Sequence, residues 1–281
     1  MGVRSRIGRG IRRVNRWLHR VTREQVLDSL QTFGPFPTQS LLVHSSLSAC
    51  GHIHGGTTTV IDALRTWIGE RDLVMPTHAY CYPDKDGRTP QFNPAVTPSR
   101  VGAVTNAFWR QPNVVRSLHP THSLACLGAG AAALCVGHEL CNTPCGVGTP
   151  YEKLILQDSS VLMFGVTLNT YTLFHTAEDA AQVPYLYEQT PYLLEAIDGE
   201  GQIKSIAMRR HDMRIVRRFA QLDRWLEERG LLIRRSLGLG HLLFIPHAGA
   251  AHRQLVEALH IDPFLLVAPA VRASVAEHFR L

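Results

Sequence analysis

The chain has 281 residues, 45% of them hydrophobic and 19% charged, with 29 Lys and Arg against 23 Asp and Glu for a formal net charge of +6. That length suits one large domain, or a main domain with a smaller lobe, around a sizeable core. It contains no apolar run near the ~18 residues that a spanning helix needs and no N-terminal signal-peptide core, so a cytoplasmic location is expected. The charge is uneven: residues 1–23 carry eight Arg and no acid, residues 24–200 a net −8, and residues 201–281 a net +6. An acidic middle attracts small cations better than nucleic acid, which a basic recognition surface would favour.

In residues 1–23, Ile7, Ile11, Val14, Trp17, Leu18 and Val21 recur at near-helical spacing between arginines. The spacing predicts a basic amphipathic arm, set apart from a single domain over 24–281. Docking of this arm on the body is preferred to contact with an anionic membrane surface. Further on, apolar periodicity predicts a helix over 24–30 and a strand over 41–44. A helix over 57–68, a strand over 72–75 ended by Pro76, a helix over 101–109 and a strand over 123–126 follow. The pattern then gives a helix over 131–140, a strand over 160–166 and a helix over 171–181. Runs 193–197 and 202–208, joined by Asp198-Gly199-Glu200-Gly201, predict a hairpin, and helices are expected around 212–229 and 250–260. Strands alternating with helices imply an α/β fold: a layered, mainly parallel central sheet flanked by helices, with a small C-terminal β-hairpin and helical portion. The stretches 81–98 and 141–150 are long Pro- and Gly-bearing loops, a place where function often sits.

Six cysteines at 50, 81, 126, 135, 141 and 145 suit reduced intracellular thiols. His138, Cys141 and Cys145 lack a second metal-ligand pair, so no metal is expected.

Three polar constellations stand out. In Val43-His44-Ser45-Ser46-Leu47-Ser48, followed by Gly55-Gly56-Thr57, a strand opens into hydroxyls and then a helix start. That arrangement suits a phosphate or an amide-bearing chain, or simply caps a helix. Arg116-Ser117-Leu118-His119-Pro120-Thr121-His122-Ser123 offers an arginine for a phosphate, or is a solvated loop. Thr172, His175 and Glu178, spaced by three, share one helical face just after the strand at 160–166. Strand ends of this kind are where α/β sheets place their chemistry. A hydroxyl, an imidazole and a carboxylate held together can run the proton relay that acyl transfer to an amine requires, and the alternative is an ordinary polar helix face.

In their order these stretches resemble the aminoglycoside 3-N-acetyltransferase family, also called the antibiotic N-acetyltransferase family. The similar segments are Val-His-Ser-Ser-Leu-Ser at 43–48, Gly-Gly at 55–56, Val-Ile-Asp-Ala-Leu at 60–64 and Leu-Val-Met-Pro-Thr at 73–77. They continue with Phe92-Asn93-Pro94, Thr-Pro-Ser at 97–99, the run 116–123, and Gly165-Val166 ahead of Thr172-x-x-His175-x-x-Glu178. The resemblance covers residues 38–190 well and the C-terminal third loosely. It implies transfer of acetyl from acetyl-CoA to the 3-amino group of an aminoglycoside, and hence antibiotic resistance. His175 would be the general base, oriented by Glu178, with Thr172 assisting at the carbonyl or in positioning. The resemblance also assigns Ser45, Ser46, Leu47, Thr77, Arg116, Ser117 and Ser123 to the coenzyme A groove. Tyr80, Asp84 and Asp179 are expected to face a cationic amine. The chain departs from the family at Ala49-Cys50-Gly51-His52, in the loop at 81–88 and in the basic arm. These departures leave open another amine, such as an amino sugar of a surface glycan, or a binding homologue without catalysis.

Overall fold

Three apolar runs form the middle of the sheet: β2 (Ser40–Ser45), β4 (Asp72–Pro76) and β7 (Ser160–Phe164), buried along almost their whole length. Such continuous burial marks strands covered on both faces. In the computed structural model, which describes residues 20–279, β7 and β4 flank β2 in parallel. β6 (Leu124–Leu127) and β5 (Val115–Arg116) extend the sheet beyond β4, and β11 (Gly240–Ile245) and β10 (Ile233–Leu237) extend it beyond β7. The expected layered α/β architecture is present. Its sheet, however, is mixed rather than mainly parallel, because two of its six pairings are parallel and four antiparallel. β10 and β11 return on each other through a tight turn with Gly238 at φ 56°, where a crossover helix would have kept the direction parallel.

Alternate side chains of the strands feed two cores. Leu41, Val43, Leu162 and Phe164 pack with α1 (Arg23–Gln31), α2 (Gly56–Ile68) and α3 (Ala103–Phe108). Leu42, Val74, Val161 and Met163 pack on the other face. That core is completed by α4 (Ala131–Cys135), α5 (Pro150–Leu156), α6 (Phe174–Ala180), α7 (Asp223–Glu228), α8 (Ala248–Ile261) and α9 (Pro269–His278). Helix α1 starts where expected because Thr22 and Gln25 form a reciprocal capping box. The hairpin forms as β8 (Tyr192–Ile197) and β9 (Ile203–Met208), and Leu194, Ala196, Ile206 and Met208 cover Phe92 in a small separate core.

Most of the arm expected over 1–23 lies outside the described residues. Its last part is β1 (Arg20–Val21), paired in parallel with β3 (His52–Ile53). Two expected helices are shorter than their sequence pattern. The one over 131–140 stops after Cys135, and Gly137 at φ 81° turns the chain into a separate 3-10 turn, His138–Leu140. The one over 212–229 keeps only the 3-10 turn Phe219–Leu222 and α7. Asp212 accepts the amide of Arg214 through Oδ1, a local bond that competes with helix formation.

Gly165 ends β7 at φ 67°, where a Cβ would stand 2.8 Å from the carbonyl oxygen of Ser46 and 2.9 Å from Cys50 Sγ. Only glycine allows this close approach. It directs the following segment across the C-terminal ends of β2, β4 and β7. Among the described residues no helix is long and apolar enough to cross a membrane.

Candidate active site

A cavity of about 600 Å³ opens at those strand ends. Each wall comes from a chain segment leaving a strand or approaching a helix. His44 and Ser45 close β2, Pro76 ends β4 with His78, Tyr80 and Tyr82 after it, and the segment from Val166 to Thr172 bridges β7 to α6. The stretch from Arg210 to Phe219 crosses from the C-terminal third. Of the expected catalytic triple, His175 lies in the first turn of α6, while Thr172 lies two residues before that helix. Both line the cavity, and Glu178 is fully buried directly beneath.

His175 Nδ1 lies 2.6 Å from Glu178 Oε2. Arg217 Nε donates to the other carboxylate oxygen, Oε1, at 2.8 Å. The same guanidinium donates to the carbonyls of Asp212 and Ile215 at 2.9 and 3.1 Å, so it is held as firmly as the carboxylate it meets. Burial alone would raise the Glu178 pKa. The Arg217 charge and the bond from His175 outweigh it and hold the carboxyl below its ordinary value. An ionised Glu178 accepts Nδ1–H, which leaves the His175 Nε2 lone pair free to accept a proton. The His211 ring lies on that of His175, with centroids 4.0 Å apart, and Phe219 meets its edge at 5.3 Å. The imidazole is thus fixed on two sides.

A second network fixes Tyr80. Tyr151 donates its hydroxyl to the His122 carbonyl at 3.1 Å. His78 Nε2, 2.8 Å away, must then donate to the Tyr151 oxygen. His78 Nδ1 is left to accept the Tyr80 hydroxyl at 2.9 Å. Burial lowers His78 to about 3, which keeps it neutral for this role. Tyr80 itself sits at φ 51°, an uncommon conformation for a bulky residue.

The structure separates the other expected site residues. Ser45 lines the cavity, and Ser46 and Leu47 continue the same strand end into the 3-10 turn Leu47–Cys50. Thr77, Ser117 and Ser123 are buried and do not line it. Thr77 and Ser123 bond each other at 3.2 Å, and Ser117 meets His138 Nδ1 at 2.9 Å. Arg116 donates to the carbonyls of Thr77, Pro94 and Thr97 at 2.9, 3.2 and 2.6 Å, and to the Thr77 hydroxyl at 3.1 Å. Tyr80 faces the cavity. Asp84 accepts the amides of Asp86 and Arg88 within its own exposed loop. Asp179 accepts the Tyr187 hydroxyl at 2.6 Å.

Sequence reasoning passed over His78, Arg210, His211, Arg217 and Phe219. His122 lay inside a quoted motif without being singled out. Arg217 left no local signal: it is one arginine among many in a basic third, 39 residues from the carboxylate it pairs with. All six cysteines are free and buried, and no His, Cys, Asp and Glu group among the described residues is arranged to hold a metal ion.

The chain and its fold have relatives among known proteins. Residues 42–255 match the family described as Aminoglycoside 3-N-acetyltransferase. Aminoglycoside N(3)-acetyltransferase VII of Streptomyces paromomycinus is 32% identical over 222 residues, which cover 72% of this chain and 71% of that protein. Among solved structures, a variant of aminoglycoside acetyltransferase AAC(3)-IVa in complex with a gentamicin superimposes with a TM-score of 0.77 at 28% identity. That match covers 91% of this chain and 94% of the other. AAC-IIIb, solved as a binary complex with CoASH, shares the fold at a TM-score of 0.74 and 24% identity, covering 89% of this chain and 99% of the other. An imidazole seated on a buried carboxylate at the strand ends, within a chain matched over most of its length, leads to one identification: the chain belongs to the aminoglycoside 3-N-acetyltransferase family and is an acyltransferase.

Proposed function

We propose that the chain transfers the acetyl group of acetyl-CoA to the 3-amino group of an aminoglycoside, with His175 as general base. The observation that carries this reading is the His175–Glu178–Arg217 chain, which ends in a free Nε2 on the cavity wall. An ammonium is not nucleophilic, so the acceptor has to present a neutral amine and shed a proton as the amide C–N bond forms. Nε2 takes that proton and returns it to the thiolate released when the thioester C–S bond breaks. Glu178 stabilises the imidazolium formed in between. Thr172, at the same wall, offers its hydroxyl to the carbonyl oxygen.

Coenzyme A, the co-substrate seen with AAC-IIIb, supplies the activated acyl group. Ser45, with Ser46 and Leu47 beside it, presents hydroxyl and backbone groups to a pantetheine-like arm. Thr77, Arg116, Ser117 and Ser123 hold the loops behind that wall. The gentamicin complex of a relative supports an aminoglycoside acceptor. One observation favours a different amine: no aspartate or glutamate lines the cavity among the described residues.

Thiol release from acetyl-CoA, followed with a panel of aminoglycosides and amino sugars, tests the reading. Release with 3-amino aminoglycosides, reduced on the order of a thousandfold in His175→Ala, is expected for a general base. Release confined to other amines moves the acceptor. Full activity in His175→Ala would refute the base assignment.

A further inference from the structure

His175 is tied to Glu178 at one atom, Nδ1. A single hydrogen bond fixes that atom and leaves the ring able to swing about it, which would carry Nε2 off its line to an amine. The contacts that set the plane of the ring form a run of stacked planar groups. The His211 ring lies on His175 with centroids 4.0 Å apart and planes 30° apart. Tyr187 stacks in turn with His211 at 5.5 Å and 23°, and the two residues also pair through a backbone bridge. The guanidinium of the exposed Arg209 covers the Tyr187 ring at 4.5 Å. His211 Nε2 is buried with no hydrogen-bond partner among the described residues, so ring faces rather than a bond at that atom hold this imidazole.

The run returns to the helix that carries the base. The Tyr187 hydroxyl donates to Asp179 Oδ1 at 2.6 Å, and Asp179 follows Glu178 directly in α6. The other oxygen, Oδ2, packs on Gly146, where a Cβ would stand 2.5 Å away. One turn of α6 thus reaches the His175 ring by two routes, at its edge through Glu178 and at its face through Asp179, Tyr187 and His211.

We propose that His211 and Tyr187 are positioning residues for the acyl transfer: Asp179 anchors Tyr187, Tyr187 supports His211, and His211 sets the plane in which His175 aims Nε2 at the acceptor amine. This rests on the acyl-transfer reading above and gives Asp179 a structural task in place of contact with the amine. Burial holds His211 well below the ordinary imidazole range, so it stays neutral beside the imidazolium formed on His175 and does not compete for the proton.

The test uses the full chain carrying His211→Ala, His211→Phe, Tyr187→Phe, or Tyr187→Phe together with His211→Ala. Two readouts are taken. One is kcat and KM by thiol release, with acetyl-CoA and the best acceptor of the panel above. The other is the proton NMR signal of His175 Nδ1–H, assigned by its loss in His175→Ala. In His211→Ala, kcat should fall roughly thirtyfold to a hundredfold, as misalignment of a base allows, with both KM values near those of the unaltered chain and the Nδ1 proton signal broadened. His211→Phe, which restores a flat face, should recover part of kcat. Tyr187→Phe should lower kcat about threefold to tenfold, the loss of one hydrogen bond, and should lower it no further in the His211→Ala background, because it acts through that ring. Losses that multiply in the double variant overturn the proposal, as does a rise in KM with kcat unchanged, which would make His211 a substrate contact. Unchanged kcat in Tyr187→Phe overturns it whether or not His211→Ala folds. Broadening of the Nδ1 proton in Tyr187→Phe, without thiol release from any amine, upholds the positioning and overturns the transfer reading instead. Full kcat in Tyr187→Phe beside a collapse in His175→Ala does the reverse.

Discussion

Arg217 and Arg116 lie under loops of the same strand-end region and serve opposite ends. Arg217, whose side chain is 7% exposed, terminates on the fully buried carboxylate of Glu178. Arg116 terminates on three backbone carbonyls and a hydroxyl, with its guanidinium between the rings of Phe92 and Trp109 at 4.9 and 4.6 Å. The first charge is answered by a charge, so it sets the state of the carboxylate on which His175 is seated. The second is answered by dipoles, so it ties three chain segments together. In sequence the ranking is reversed: Arg116 opens a motif-rich run and Arg217 stands in an unmarked one. What a buried arginine does is decided by what meets its fork.

The largest effect is expected at Arg217. Arg217→Met leaves Glu178 buried with only His175 as partner, and breaking a buried pair from one side costs about 3–5 kcal/mol. Denaturant unfolding should show that loss, and kcat should fall with it because Nδ1 no longer faces a firmly ionised carboxylate. A double variant that also carries Glu178→Gln should regain part of the stability and none of the rate. Recovery of both would place Arg217 outside the relay. Arg116→Met should cost somewhat less, about 2–4 kcal/mol from orphaned carbonyls at roughly 1 kcal/mol or more each, with kcat in the folded protein near that of the unaltered chain. A selective rise in KM for acetyl-CoA there, at unchanged stability, would instead make Arg116 a ligand for the co-substrate.

The contrast also shows what the sequence could reveal. β2, β4 and β7 were legible because short continuous apolar runs, two of them ended by Pro76 and Gly165, leave few alternatives. The β8–β9 hairpin was legible from Asp198-Gly199-Glu200-Gly201. The His175–Glu178 pair was legible because a spacing of three is meaningful on a helix, and α6 supplies that helix. The antiparallel flanks were not, because Ile233-Arg234-Arg235-Ser236-Leu237 is polar on its outward face and resembles a charged helix end. Nor was the fate of Thr77, Ser117 and Ser123: a hydroxyl in a motif carries no mark that tells a ligand contact from an internal strut. Those distinctions arise in tertiary packing, as does the meeting of Arg217 with Glu178.

Next in size, taken residue by residue, is a dependence on acidity. Burial lowers His44, His78 and His138 from an ordinary 6.5 to about 3, and lowers His119, His122 and His211 well below it. Above 6.5 neither the folded nor the unfolded chain binds these protons. As pH falls below 6.5 the unfolded chain takes them up and the folded chain does not, so stability drops toward pH 3. Each such histidine contributes a slope of about 1.4 kcal/mol per pH unit. Unfolding free energies measured between pH 7.5 and 5.5 should fall steeply below 6.5, and less steeply in His44→Gln by about one histidine's share. A flat profile would mean that these imidazoles take up protons in the folded state.

The smallest effect is expected at Tyr80, where the two walls meet. Its hydroxyl is the terminal donor of the chain through His78 and Tyr151 to the His122 carbonyl. Tyr80→Phe removes one neutral hydrogen bond, worth about 1 kcal/mol, and leaves the His78 Nδ1 lone pair unmatched. The ring keeps its place, because the φ of 51° and the backbone bond from Tyr80 N to the Thr121 carbonyl do not depend on the hydroxyl. Stability should therefore fall slightly, while kcat stays close to that of the unaltered chain and the acceptor KM rises modestly. A fall in kcat as large as that of His175→Ala would show the Tyr80–His78 pair to be part of the proton path, and would move the centre of the chemistry away from Arg217 and Glu178 toward the loop after β4.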